Sequence, residues 1–322
     1  MSVSNKPLVI CAPYPRTLDL IFAPAKKAMF FEKYEIVQTG PDEVEGLPDE
    51  TLKRARYIVG QPPLGLEALQ KMDRLKCIFN VEGNLLNNMD YDYLFKNGIH
   101  IVTTSSVFAL PVAEMGLGLA LCLARDVIDA DLDFRNAKEL WGGDGNKNAR
   151  LISDAKIGIV GFGDLGQTLA GLLAGFNSQI SVFDPWLPPM MIKERGGRPA
   201  GLDQVLAQSD FVFVTASVTS ENIGFLNAAS FATMKQGAAF ILLSRADVVN
   251  FTDLMAAVSS GHIVAASDVF PEEPLARDHP VRTLKGFIHS AHRAGAMDSV
   301  FKKMGEMVLE DMDLMNRDLP PL

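Results

Sequence analysis

Cysteine is scarce in this chain and basic charge is in deficit, and each shortage removes a class of function. The 322 residues include three cysteines, Cys11, Cys77 and Cys122, each standing singly in an apolar run. They lack the paired spacing of a zinc site or a redox motif, so no metal is expected. They read as small buried hydrophobes, and an odd count points to a reducing, cytoplasmic compartment. Lysine and arginine total 30 against 39 acidic residues, a net charge of -9. Nucleic-acid binding needs clustered cations that displace counterions, so no nucleic-acid partner is expected. The opening stretch MSVSNKPLVICAPYP has too short an apolar run for a signal sequence. The longest apolar stretch, Val107 to Ala124, contains Pro111 and Glu114 and runs into Arg125. It reads as a buried helix of a protein outside the membrane.

What the chain has in quantity is hydrophobic residues, 48% of the total, enough for two domains that each bury a core. Val- and Ile-rich runs recur with helical or loop segments between them: LVICAP, EIVQ, YIVG, CIFNV and IHIVTT before the apolar helix. After it come KIGIVG, ISVFD, FVFVTA, AFILLS, HIVAASDVF and FIHSA. Runs with so little polar alternation suit parallel strands covered by helices on both faces. The fold class expected is therefore α/β, with two doubly wound parallel-sheet domains. Residues 135–151, with WGGDGNKN inside, have the glycine and asparagine density of a loop. The tail from Met297 to Arg317 spaces Val300, Met304, Met307, Val308, Asp311 and Met315 as one face of an amphipathic helix.

The strongest local pattern is Gly161-Phe162-Gly163-Asp164-Leu165-Gly166, between the strand IGIV and a helical run. In a dinucleotide site the first glycine permits the tight turn. The second lets the pyrophosphate approach bare backbone, and the third lets helix and strand pack closely. The helix N-terminus adds free amides and partial positive charge. Asp164 puts a carboxylate near those phosphates, and its amide rather than its side chain is expected to contribute. The next strand ends at Asp184, where a carboxylate can accept from the adenosine ribose hydroxyls and repel a 2′-phosphate. NAD is thus favoured over NADP. A methyltransferase would carry an acid on the strand before the first glycine, and Ile157-Gly158-Ile159-Val160 has none.

Nicotinamide chemistry asks the protein to hold a substrate carboxylate, polarise an oxygen and handle a proton. Arg245 follows AFILLS at a strand end, Glu273 lies between prolines in PEEP, and His292 ends the run FIHSAH. Among the five histidines it is the best placed. His289 is set to face the other side of the sheet.

Several linked stretches together resemble the D-isomer-specific 2-hydroxyacid dehydrogenase family: VEGNLLNNMDYDYLFKNGIHIVTT, PVAEMGLGLALCLAR, GIVGFGDLGQ, MKQGAAFILLSRADVV, SGHIVAASDVFPEEPL and SAHRAG. The resemblance implies a Rossmann NAD domain, 105–295, inserted into a flavodoxin-like substrate domain formed by 1–104 and 296–322, with a cleft between the two. It implies hydride transfer between NAD and C2 of a small 2-hydroxy or 2-oxo acid. Arg245 would bind the substrate carboxylate, His292 would be the acid/base and Glu273 its partner. Asp268 would lie near the nicotinamide amide, and the backbone of Val81-Glu82-Gly83 would meet the substrate carboxylate. A homodimer paired through the cofactor domains is the family default.

The chain departs from the family pattern at Ala246, where glycine is usual, at Ser290-Ala291, where Thr-Pro is usual, and at Ser217, where proline is common. Glu82 adds a negative charge to the substrate loop, and Arg293 adds a positive one beside His292. These charges favour a substrate with an extra polar or charged group. Two other readings stand beside the main one: a dinucleotide-sensing, corepressor-like binding protein of the same fold, and a dehydrogenase of another small anion.

Overall fold

The computed structural model describes residues 6–81 and 85–322. The chain divides into two compact units. One is 1–108 with 296–322, and the other is 109–295.

The first unit is built on a five-stranded parallel sheet of β1 (Leu8–Ala12), β2 (Glu35–Gln38), β3 (Ala55–Gly60), β4 (Cys77–Asn80) and β5 (His100–Thr103). Their spatial order is β2-β1-β3-β4-β5, the doubly wound order of flavodoxin-like sheets. Alternation along each strand feeds two cores. Val9, Cys11, Tyr57, Val59, Cys77 and Phe79 face one, closed by Met304, Val308, Met312 and Met315 of the Asp298–Met315 helix. Leu8, Ile10, Ile58 and Ile78 face the other, with Leu52, Leu69 and Leu94. The unit extends to Phe108 rather than ending at Thr104, because Val107 and Phe108 pack on the first core with Phe301.

The second unit carries seven parallel strands: β6 (Lys156–Val160), β7 (Gln179–Phe183), β8 (Arg198–Pro199), β9 (Phe211–Val214), β10 (Ala239–Leu242), β11 (Val264–Ser267) and β12 (Phe287–His289). They lie in the order β12-β11-β10-β9-β6-β7-β8. The order reverses between β6 and β9, the switch point at which open α/β sheets bind ligands. Because every pairing is parallel, all the carboxyl ends lie along one edge.

Two local features differ from the sequence reading. β8 was not anticipated: it is two residues long, includes a proline, and holds the edge only by pairing with Ser181 and Val182. The apolar helix, Ala109–Arg125, buries a stripe and not its whole circumference. At Gly116 a Cβ would come 2.3 Å from Leu243 Cδ1, so a side chain there would require Leu243 to shift. Leu110 and Leu121 remain exposed, and the following helix, Val127–Arg135, buries none of its residues. By length and composition, 105–125 is the single candidate membrane span among the described residues, and its buried stripe belongs to the core of this unit.

Candidate functional site

The glycine turn joins β6 to the Asp164–Leu173 helix, and its three glycines meet three different constraints. Gly161 has φ +90°, and a Cβ there would lie 2.5 Å from the Ala216 backbone. At Gly166 a Cβ would lie 2.4 Å from the Gly161 carbonyl oxygen, so any side chain would push the helix off the strand. At Gly163 nothing stands within 4 Å of that position. This middle glycine therefore leaves bare backbone open to close approach, as a phosphate requires. Among the described residues no side chain caps the helix, so the amides of its first turn keep their hydrogen-bonding capacity for a ligand. Gly163 and Asp164 are exposed, and Leu165 packs partly against the core below. These features fit a dinucleotide pyrophosphate.

Two residues that the sequence reading passed over brace this turn. Thr215 Oγ1, from the end of β9, donates to the Gly161 carbonyl at 2.5 Å, and Gln167 Nε2 donates to the Phe162 carbonyl at 2.9 Å. A threonine ending an apolar strand was the available signal, since a buried hydroxyl needs a partner. Asp184 stands at the end of β7. Its Oδ2 accepts from the Phe162 amide at 2.7 Å, and its Oδ1 accepts from those of Trp186 and Leu187 at 2.9 and 3.0 Å. A carboxylate has about four acceptor positions, so capacity for a ribose hydroxyl remains.

Farther along the same edge, β10, β11 and β12 deliver the three polar residues singled out for chemistry. Arg245 lies just past β10, half-buried, with Nη1 donating to the Ser244 carbonyl at 2.8 Å. Glu273 lies in the loop after β11, and its Oε1 accepts from the Phe270 amide at 2.9 Å. His292 follows β12, and its Nδ1 is 2.6 Å from Glu273 Oε2. An ionised carboxylate can only accept, so Nδ1 carries the hydrogen and Nε2 is the nitrogen left for other chemistry. The two side chains are 48% and 35% exposed, so the pair is open to a small molecule.

Asp268 holds the histidine turn together. His292 has φ +50°, a left-handed conformation that a non-glycine residue adopts only when its surroundings enforce it. The His292 amide donates to the Asp268 carbonyl at 2.7 Å. The amides of Arg293 and Ala294 donate to Asp268 Oδ1 and Oδ2 at 2.9 and 3.0 Å. The carboxylate is buried and engaged by this turn, a bracing that the sequence reading did not foresee. An acid inside the apolar run AASDVF was the signal, because a buried carboxylate requires donors. His289 is structural: it stacks on Phe287 at 4.9 Å and its Nε2 meets the Val281 carbonyl at 2.7 Å. Burial pushes its imidazole below the usual histidine range.

In the other unit, Val81 is buried and its carbonyl accepts from Arg16 Nε at 2.8 Å. Glu82 and Gly83 lie outside the described residues. Among the described residues no group of three histidine, cysteine or acidic side chains could hold a metal.

The family profile of the D-isomer specific 2-hydroxyacid dehydrogenase NAD-binding domain matches residues 117–294, more than half of the chain. A crystal structure of a phosphoglycerate oxidoreductase from Rhizobium etli is 64% identical, with a TM-score of 0.90, covering 98% of this chain and 97% of that one. The mouse glyoxylate reductase/hydroxypyruvate reductase is 33% identical over 218 residues, 66% of this chain and 65% of its own. The D-3-phosphoglycerate dehydrogenase of Mycobacterium leprae is 27% identical over 276 residues, 85% of this chain and 51% of its own. The chain thus spans about half the length of that dehydrogenase.

Proposed function

Since the chain belongs to the D-isomer specific 2-hydroxyacid dehydrogenase family, we propose that it transfers a hydride between NAD and C2 of a small 2-hydroxy or 2-oxo acid. The observation that carries this reading is the Nδ1 to carboxylate contact between His292 and Glu273 on a turn locked by Asp268. When bound, the nicotinamide supplies or takes up the hydride.

The chain's own residues supply the rest. Arg245 offers two parallel donors to the substrate carboxylate and draws electron density from the C2 oxygen. Glu273 fixes the ring tautomer and orientation of His292. His292 Nε2 gives a proton to the C2 oxygen when a ketone is reduced and takes it back when the alcohol is oxidised. The glycine turn and the helix behind it hold the pyrophosphate, and Asp184 holds the adenosine ribose.

For substrate we propose 2-oxo acids with a hydroxyl or phosphate at C3. The positive charge of Arg293 suits a phosphate and the carboxylate of Glu82 a hydroxyl, and the names of relatives that act on phosphoglycerate and hydroxypyruvate support the same class. We also propose a homodimer formed through the second unit. The Val127–Arg135 helix, with Val127, Ile128, Leu132 and Phe134 exposed, gives such a pairing its apolar surface. Leu132→Asp should then shift the mass measured by light scattering from dimer to monomer.

The test of the activity is NADH consumption across a panel of 2-oxo acids, with wild type compared against His292→Ala. We expect turnover with at least one C3-substituted oxo acid, and a loss of about 10²- to 10⁴-fold in kcat for the variant, with NADH affinity kept. Tight NADH binding without turnover of any oxo acid would replace this reading with a sensing role.

A further inference from the structure

The chain has two tryptophans, Trp141 and Trp186, and both are largely exposed, at 76% and 71%. They differ in what holds them. Trp141 precedes the glycine-rich turn Gly142–Asn146. Trp186 stands two residues past Asp184, and its amide donates to the same carboxylate that accepts from the glycine turn through Phe162. One carboxylate therefore ties together the end of β7, the bend carrying the indole, and the turn that fits a pyrophosphate. Pro185 before the tryptophan fixes its own φ, and Pro188 and Pro189 follow Leu187. The backbone beneath the indole is thus set, and ordering the side chain costs only two torsions.

We propose that Trp186 is a cofactor-binding residue whose indole face covers the adenine of the dinucleotide. This rests on the reading of the glycine turn and Asp184 as the NAD site. Adenine is attached to the ribose whose hydroxyls that carboxylate would accept, so the base lies within one ring's reach of the bend. Every purine presents a flat π surface, and an aromatic side chain beside it takes that surface out of water. Removal of such a stacking partner weakens binding by about tenfold in comparable base–aromatic contacts.

The experiment is calorimetric titration of the full chain with ADP-ribose and with NADH, using wild type, Trp186→Ala, Trp186→Phe and Trp141→Ala. In parallel, Trp141→Phe leaves Trp186 as the single tryptophan for fluorescence. We expect Trp186→Ala to weaken ADP-ribose and NADH by the same factor of about ten, Trp186→Phe to keep most of the affinity, and Trp141→Ala to change neither. ADP-ribose should quench the emission of Trp141→Phe. Circular dichroism melts confirm that each variant folds. If wild type binds ADP-ribose and Trp186→Ala binds it equally well, the stacking role is wrong while the cofactor site stands. If wild type binds neither ligand, both fall together.

Discussion

Each unit is a doubly wound parallel sheet, yet the loops that follow their first strands have opposite chemistry. After β1 come Pro13, Tyr14, Pro15 and Arg16, then a helix of four residues, Leu18–Ile21. The two prolines have no amide hydrogen to offer a ligand. Thr17 caps the short helix by accepting from the Leu20 amide at 3.1 Å, so one helix-end donor is already engaged. After β6 come two glycines around one phenylalanine, then a ten-residue helix with no side-chain cap. The same topology thus gives a closed end in one unit and an anion-receptive end in the other. The difference lies in the short loop after one strand and leaves the fold of both sheets untouched.

Substituting glycine in each unit breaks this comparison most strongly. Gly60, at the end of β3, has φ +128°, and a Cβ there would lie 2.1 Å from the Ala12 carbonyl oxygen. Gly60→Ala should therefore lower stability by about 3 kcal/mol, from backbone strain and overpacking together, as read by urea unfolding. NADH affinity per folded molecule should not change, because the glycine turn belongs to the other sheet. Gly166→Ala should cost about 2 kcal/mol and also abolish NADH binding, because it forces apart the strand and helix that form the turn. A Gly60→Ala chain that folds but fails to bind NADH would refute this division of labour.

Two buried aspartates extend the contrast. Asp268 in the second unit is engaged by amides at both carboxylate oxygens, and those amides belong to the histidine turn. Asp268→Asn replaces one acceptor with a donor facing an amide. It should cost about 2 kcal/mol of stability and lower kcat more than it raises the oxo-acid KM. An unchanged kcat would show that His292 holds its conformation without the brace. A smaller effect is expected at Gly163, where a Cβ has free space. Gly163→Ala should leave the melting temperature within a degree or so and weaken NADH by about tenfold, through contact with the phosphates alone.

Much of this was legible in the residues, and the exceptions share a cause. The strand runs, the turn Gly161–Gly166 and the terminal amphipathic helix announce themselves by local period or spacing. Arg245, Glu273 and His292 could be picked out as strand-end polar residues, because a parallel sheet collects its carboxyl ends on one edge. What stayed hidden depends on contacts between distant segments. The clamp of Asp268 on residues 293 and 294, the Thr215 bond to Gly161 and the left-handed φ of His292 arise only once β9, β11 and β12 are in register. The two-residue β8 has no period to read at all. The exposed side of the apolar helix escaped for a different reason, since composition reports how apolar a segment is and not which face meets a partner.

Asp311 is the counterpart of Asp268 in the first unit, and its environment is incomplete. It is fully buried on the Asp298–Met315 helix, with Oδ1 accepting from the Leu322 amide at 2.7 Å and Oδ2 lacking a partner among the described residues. Burial, reinforced by the charge of Glu310, raises its carboxyl above the usual carboxylate value. The folded chain therefore binds a proton more tightly than the unfolded chain does. Between the ordinary carboxylate value of 3.8 and the raised one, stability must fall as pH rises. Asp311→Asn keeps an acceptor for the Leu322 amide and removes the ionisation. It should raise stability at neutral pH by about 1 kcal/mol and flatten this slope, as measured by urea unfolding from mildly acidic to neutral pH. Asp268→Asn should lower stability over the same range. A common sign for the two variants at neutral pH would mean that amide engagement does not distinguish these carboxylates.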